Sequence, residues 1–193
     1  MSETSYRGVM PDWVIEKHAT HDSMIQPYVA KQVRHNGDGE KIISYGLSSY
    51  GYDMRVANEW SYIDTKDVVI DVKNFNEVPT VNCVADVIDI PANSFVLARS
   101  IEYFVIPDNV MAICLGKSSY ARTGLVVNTT PLEPGWKGHV TIELSNTTKS
   151  PLRVYANEGI AQVIFFGGEL PSVTYGSRSG KYQGQTGIWF PRL

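Results

Sequence analysis

Helical spacing of apolar residues is confined to the first 35 positions of this chain. Pro11-Asp12-Trp13-Val14-Ile15-Glu16-Lys17 opens one such stretch, and Met24, Ile25, Tyr28, Val29 and Val33 recur near helical intervals in a second that runs to Arg34. Two short helices are expected there, within an N-terminal segment of residues 1–40. From about residue 42, short β-branched or aromatic runs are separated by turn residues, the pattern of an all-β sandwich or barrel. Strands are expected at 68–72, 81–90, 94–106, 110–115, 125–130, 140–146, 152–155 and 160–166. Pro107-Asp108-Asn109, Pro134-Gly135-Trp136, Lys149-Ser150-Pro151 and Asn157-Glu158-Gly159 punctuate them. Beyond Gly167 glycine and serine are frequent, so residues 167–193 are expected to form a mobile arm or lid rather than a core strand.

With 193 residues, 43% of them hydrophobic, the chain is long enough for a substantial core and fits one domain spanning 1–193. Lysine and arginine number 17 against 20 acidic residues, and no run of five like charges occurs. That balance argues against an extended nucleic-acid-binding face, which draws its affinity from many basic side chains. A small anionic ligand needs only a few cations at one place. The first residues, Met-Ser-Glu-Thr-Ser-Tyr-Arg, lack the basic start and apolar stretch of a signal peptide, and no apolar run approaches the roughly 20 residues that span a bilayer. A cytoplasmic protein without membrane association is expected. Cys83 and Cys114, each inside an apolar stretch, are expected as reduced thiols.

Two constellations could carry chemistry. In His139-Val140-Thr141-Ile142-Glu143-Leu144-Ser145-Asn146, strand alternation puts Val140, Ile142 and Leu144 on one face and Thr141, Glu143 and Ser145 on the other. Glu143 is then either a solvated carboxylate or one held in a cleft, its proton affinity raised by burial for acid–base work; spacing does not decide. The second, Gly116-Lys117-Ser118-Ser119-Tyr120-Ala121-Arg122, follows an apolar run. A glycine and a serine pair opening a short helix aim backbone N–H groups and hydroxyls at an anion, while the plainer alternative is a serine cap with two surface cations. The second glycine of a Walker loop is missing, for Met111 lies five positions before Gly116. His18, His21, His35 and His139 stand in no ligand spacing, and neither zinc-deaminase, zinc-hydrolase nor Gly-x-Ser-x-Gly signatures occur.

Five blocks together resemble the dCTP deaminase family: Gly116 to Arg122, Val127-Asn128-Thr129-Thr130-Pro131-Leu132-Glu133-Pro134, Gly138-His139-Val140-Thr141-Ile142-Glu143, Tyr155-Ala156-Asn157-Glu158-Gly159-Ile160-Ala161-Gln162, and Gly180-Lys181-Tyr182-Gln183-Gly184-Gln185. Ile43-Ser44-Tyr45-Gly46, Ser49-Tyr50-Gly51-Tyr52-Asp53 and Lys73-Asn74-Phe75 are similar too, so the likeness runs over roughly residues 40–187 in the family's order.

The resemblance implies a mainly β, dUTPase-like fold and zinc-independent hydrolysis of dCTP to dUTP and ammonia. Mg²⁺ would accompany the triphosphate, active sites would lie between the subunits of a homotrimer, and dTTP would act as feedback inhibitor. Glu143 would be the acid–base carboxylate, with Ser118 near the attacking water and Arg122 completing the catalytic set. Lys117, Ser119 and Arg122 match phosphate contacts, with Tyr120 and Ala121 between them, and the strand Thr141-Ile142-Glu143 would line the base. Gln162, Tyr175, Lys181 and Gln185 match further nucleotide contacts; Trp136 would pack on deoxyribose or simply cover the core edge. Leu132-Glu133-Pro134-Gly135-Trp136 lacks the Ile-Asp-x-x-Tyr pattern of dUTPases. Alternatives are a bifunctional enzyme releasing dUMP and pyrophosphate, or a silent nucleotide-binding homologue. The aromatic tail Ile188-Trp189-Phe190-Pro191 has no role in either reading.

Overall fold

The computed structural model describes residues 6–63 and 68–192. The expected ends of the chain, residues 1–5 and 193, lie outside that range. After a two-residue strand β1 (Gly8–Val9) comes α1 (Asp12–His21), whose Val14, Ile15 and Ala19 are buried. Pro11 precedes the first turn, where its missing N–H costs nothing, and the Asp12 carboxylate accepts the Trp13 N–H at 2.8 Å. The second expected helix is absent. Its residues instead make short strands, β2 (Ile25–Gln26) and β3 (Val33–His35), because Pro27 supplies no N–H and disfavours helix before it.

The remaining strands of the described residues are β4 (Lys41–Ser48), β5 (Gly51–Ile63), β6 (Thr80–Val84), β7 (Val87–Ile90), β8 (Phe95–Val105), β9 (Val110–Gly116), β10 (Leu125–Asn128), β11 (Lys137–Asn146), β12 (Leu152–Tyr155) and β13 (Gly159–Gly167). A short helix α2 (Ser118–Ala121) joins β9 to β10. Among the described residues eleven strands form one curled sheet whose spine runs β1-β13-β5-β8-β11-β10, with β9 on β13 and β6 on β5. The separate ribbon β12-β7 adds Ile88, Ile90, Leu152 and Val154 to the core that also holds Trp60, Phe104, Ile142 and Phe165. Each fully buried aliphatic side chain contributes roughly 1.5–3 kcal/mol by leaving water.

Two differences from the sequence pattern matter. Residues 68–72 are not a strand: Val69 is 88% exposed, and Asp71 starts a turn by accepting the Lys73 N–H at 2.8 Å. Conversely β5, thirteen residues long, is central to the sheet although no apolar run marks it. Its charges are neutralised across the sheet. Arg55 pairs with Glu102 on β8 at 2.8 Å, Glu59 with Arg99 on β8 at 2.5 Å, and Asp53 with Lys117 at 2.5 Å. Cys83 and Cys114 are free thiols.

Candidate active site

Glu143 sits in the middle of β11, between Asn128 on β10 and Leu97 on β8. Along β11, buried and half-buried positions alternate, with Val140, Ile142 and Leu144 in the core and Thr141, Glu143 and Ser145 on the other face. A bulge between His139 and Thr141 shifts the register before Glu143. There the Val140 N–H turns to the buried Ser100 hydroxyl, 2.8 Å away, and that hydroxyl donates to the Glu102 carbonyl at 2.6 Å. The site strand is thereby fixed to β8.

The outward face of β11 opens into a cavity of about 840 Å³. Glu143, Thr141, Thr130 and Lys181 supply polar groups, while Leu97, Trp136, Tyr175 and Phe190 are among the apolar lining. This space is of ligand size and mostly apolar, the setting in which a few polar groups fix orientation. Glu143 is not solvated as an ordinary surface glutamate would be. Its Oε2 is buried and makes no hydrogen bond with the described residues. Burial pushes its carboxyl up to about 7, against opposing hydrogen bonds from its own N–H and the Asn128 side chain. A carboxyl poised there can both take up and release a proton near neutrality.

The C-terminal arm folds over this cavity. Trp136 Nε1 donates to the Tyr182 carbonyl at 2.9 Å, Gln183 Nε2 donates to the Gly135 carbonyl at 2.9 Å, and the His139 N–H donates to the Gln185 carbonyl at 2.8 Å. Gln185, 4% exposed, also donates through its side chain to the Thr141 hydroxyl. Gly138 permits this approach, since a Cβ there would press on Gln185 and Trp136. The expected arm is thus docked, with Tyr175, Lys181 and Gln185 all on the cavity wall.

Other expected residues lie elsewhere in the chain. Ile142, on the core face of β11, is wholly buried and does not line the cavity. Lys117, Ser118, Ser119, Tyr120, Ala121 and Arg122 do not line the Glu143 cavity. Lys117 is held by Asp53, Tyr120 is buried and its hydroxyl accepts the Tyr155 N–H at 3.2 Å, and Ser118, Ser119, Ala121 and Arg122 are exposed. Gln162 on β13 donates to the Ser48 hydroxyl at 2.9 Å, also away from Glu143. Sequence reasoning missed Asn128 as the partner of Glu143, and Arg178 on the cavity wall, where it pairs with Glu133. Strand pairing to Glu143 could have flagged Asn128; nothing local marks Arg178.

The dCTP deaminase-like family model matches residues 9–168, which include β11 and the α2 segment. The chain belongs to the dCTP deaminase-like family. A dCTP deaminase of Herpetosiphon aurantiacus is 55% identical over 188 residues, covering 96% of this chain and all of its own length. A dCTP deaminase of Acinetobacter baylyi is 53% identical over 182 residues, 93% of this chain and 96% of its own. A crystal structure of 2'-deoxycytidine 5'-triphosphate deaminase from Agrobacterium tumefaciens matches with a TM-score of 0.60 at 15% identity. It covers 84% of this chain, which spans about half (48%) of that chain's length, and carries the fold alone. The mainly β architecture expected from the sequence is therefore the family's.

Proposed function

We propose that this chain hydrolyses dCTP to dUTP and ammonia with Glu143 as its general acid–base group. The activity rests on membership of the family and on relatives more than half identical over nearly their whole length. The assignment to Glu143 rests on one observation: a carboxylate in a ligand-sized cavity, with a buried oxygen lacking a partner and a carboxyl pushed up to about 7.

Ionised Glu143 takes a proton from water as the oxygen adds to C4 of cytosine, and passes it to N3. The hydroxyl proton of the tetrahedral intermediate then travels through Glu143 to the amino nitrogen. The C4–N bond breaks, leaving a C4 carbonyl and ammonia. Such general acid–base help is typically worth ~10²–10⁴ in rate. Thr141, two residues away on the same face, and Gln185, bonded to it, offer polar groups to the base edge. Trp136, Tyr175 and the apolar lining exclude water.

The α2 segment carries the cations and hydroxyls suited to phosphate but lies outside this cavity. That separation supports a homotrimer in which Ser118, Ser119, Arg122 and Lys117 complete a neighbour's site. Exposed apolar side chains Met111 and Leu115 on β9 and Val126 on β10, the strands that α2 joins, provide surface for such an assembly. Among the described residues no group of three His, Cys, Asp or Glu side chains could hold a metal ion. Mg²⁺ would thus be carried mainly by triphosphate oxygens, whose charge it would offset, with Lys181 nearby. dTTP shares the sugar and triphosphate but lacks the amino group, which suits it as an inhibitor. No described helix is long and apolar enough to cross a membrane. A cytoplasmic location suits the two free thiols.

Incubation with dCTP, CTP or dCMP plus Mg²⁺, with chromatography of every product, tests the reading. Equal amounts of dUTP and ammonia from dCTP are expected. Pyrophosphate and dUMP appearing with the ammonia would make the enzyme bifunctional, and nucleotide binding without ammonia would overturn catalysis. Sedimentation of the intact protein tests the trimer.

A further inference from the structure

Two stretches that stand out in the sequence supply no polar group to the chemistry above, although Phe190 belongs to the apolar lining: Lys73-Asn74-Phe75 and Ile188-Trp189-Phe190-Pro191. The fold brings them together. Phe75, 7% exposed, opens a single 3₁₀ turn, Phe75–Glu77. Its ring stacks on Phe190 with centroids 5.3 Å apart and planes 23° from parallel. Phe75, Trp189, Phe190 and Pro191 all line the cavity that contains Glu143. The tip of the tail is also anchored by polar groups. The Trp189 N–H donates to the Thr141 hydroxyl at 3.3 Å, two positions from Glu143. The Arg192 guanidinium lies 3.7 Å from the Trp189 ring centre, Lys181 Nζ donates to the Arg192 carbonyl at 2.8 Å, and the Arg192 N–H donates to the Tyr182 hydroxyl at 3.2 Å.

We propose that Phe75 and Phe190 form an aromatic clasp that seats the C-terminal tip on the cavity, making the two rings positioning residues that keep bulk water from Glu143 and enclose the nucleotide. This rests on the assignment of Glu143 as the proton carrier. A loop between β5 and β6 and the last residues of the chain are thereby joined through one ring pair. Because water stabilises an ionised carboxylate, opening the clasp returns Glu143 toward an ordinary carboxyl. The other titratable or charged groups on the cavity wall are Tyr175, Tyr182, Lys181, and Glu133 with its partner Arg178; the clasp variants leave all of them in place.

The test compares the full-length wild type with Phe75→Ala, Phe190→Ala, the double variant and Phe190→Tyr. Ammonia release from dCTP is followed against pH, and backbone hydrogen exchange at Gln185 to Trp189 is measured without nucleotide. In either alanine variant the acid limb of kcat/KM is expected to move to lower pH by about one unit. Turnover at neutral pH should fall about tenfold, with the double variant no worse than the singles because they break one contact. Exchange at Trp189 should accelerate, and Phe190→Tyr should behave as wild type. An unmoved acid limb, unchanged exchange, or single losses that multiply in the double variant would overturn the clasp. If the wild type releases no ammonia, the deaminase reading fails, while the exchange result still decides whether the clasp exists.

Discussion

Two glutamates on adjacent strands of the same sheet, Glu102 and Glu143, show how environment separates a structural carboxylate from a chemical one. Glu102 is 0% exposed, yet Arg55 answers both its oxygens, Nε to Oε1 at 2.8 Å and the backbone N–H to Oε2 at 2.9 Å. Tyr52 adds a longer contact at 3.4 Å. Burial raises the Glu102 carboxyl and these Arg55 contacts oppose the rise, so its charge is spent inside the protein. Glu143 is less buried, and among the described residues no cation contributes to its shift. Amide hydrogen bonds alone oppose its desolvation, and its buried Oε2 has no hydrogen-bond partner among the described residues. Burial costs both residues, but of the two only Glu143 lines the ligand-sized cavity, where a substrate can meet its carboxyl.

The sharpest way to break this contrast is Glu143→Gln. Turnover of dCTP should fall by about 10²–10⁴ while nucleotide affinity holds and the fold loses no stability, as read by ammonia release, titration calorimetry and urea melts. A variant unfolding like a core mutant would place Glu143 with Glu102. Next in size, Glu102→Ala strands Arg55 in the sheet and should cost about 3–5 kcal/mol in urea unfolding, with residual folded protein still binding nucleotide.

The pH dependence of stability should then separate the two further. Glu143 binds its proton more tightly folded than unfolded, so its contribution is fully present below the unfolded carboxylate range and is lost as pH rises through about 7. The stability of Glu143→Gln relative to wild type should therefore grow with pH across that window, reaching about 1–3 kcal/mol; a difference that does not change with pH would contradict it. Smallest of all, breaking the exposed Arg153–Asp89 pair with Arg153→Ala should leave the melting temperature unchanged, since water already screens that pair.

The site strand was legible because β11 is amphipathic in the plainest way, with apolar Val140, Ile142 and Leu144 against polar Thr141, Glu143 and Ser145. What the alternation could not carry was the cavity, which depends on a tail too poor in apolar residues to look structural. That tail is held instead by hydrogen bonds to β11 and the Pro134-Gly135-Trp136 turn, and by one stacked ring pair. β5 was hidden for a related reason: Asp53, Arg55 and Glu59 interrupt its apolar pattern, and their partners lie 64, 47 and 40 residues away. Local periodicity sees no such pairing. The second helix was over-read because five apolar residues near helical spacing outweighed Pro27, whose missing N–H decides the local backbone.

The most direct test is to follow the Glu143 side-chain carboxyl carbon by NMR in wild-type protein while measuring ammonia release from dCTP over the same pH range. The carboxyl should titrate near 7, and the acid limb of kcat/KM should fall at the same pH. A Glu143 that titrates in the ordinary carboxylate range, or an acid limb that persists in Glu143→Gln, would contradict its role as proton carrier.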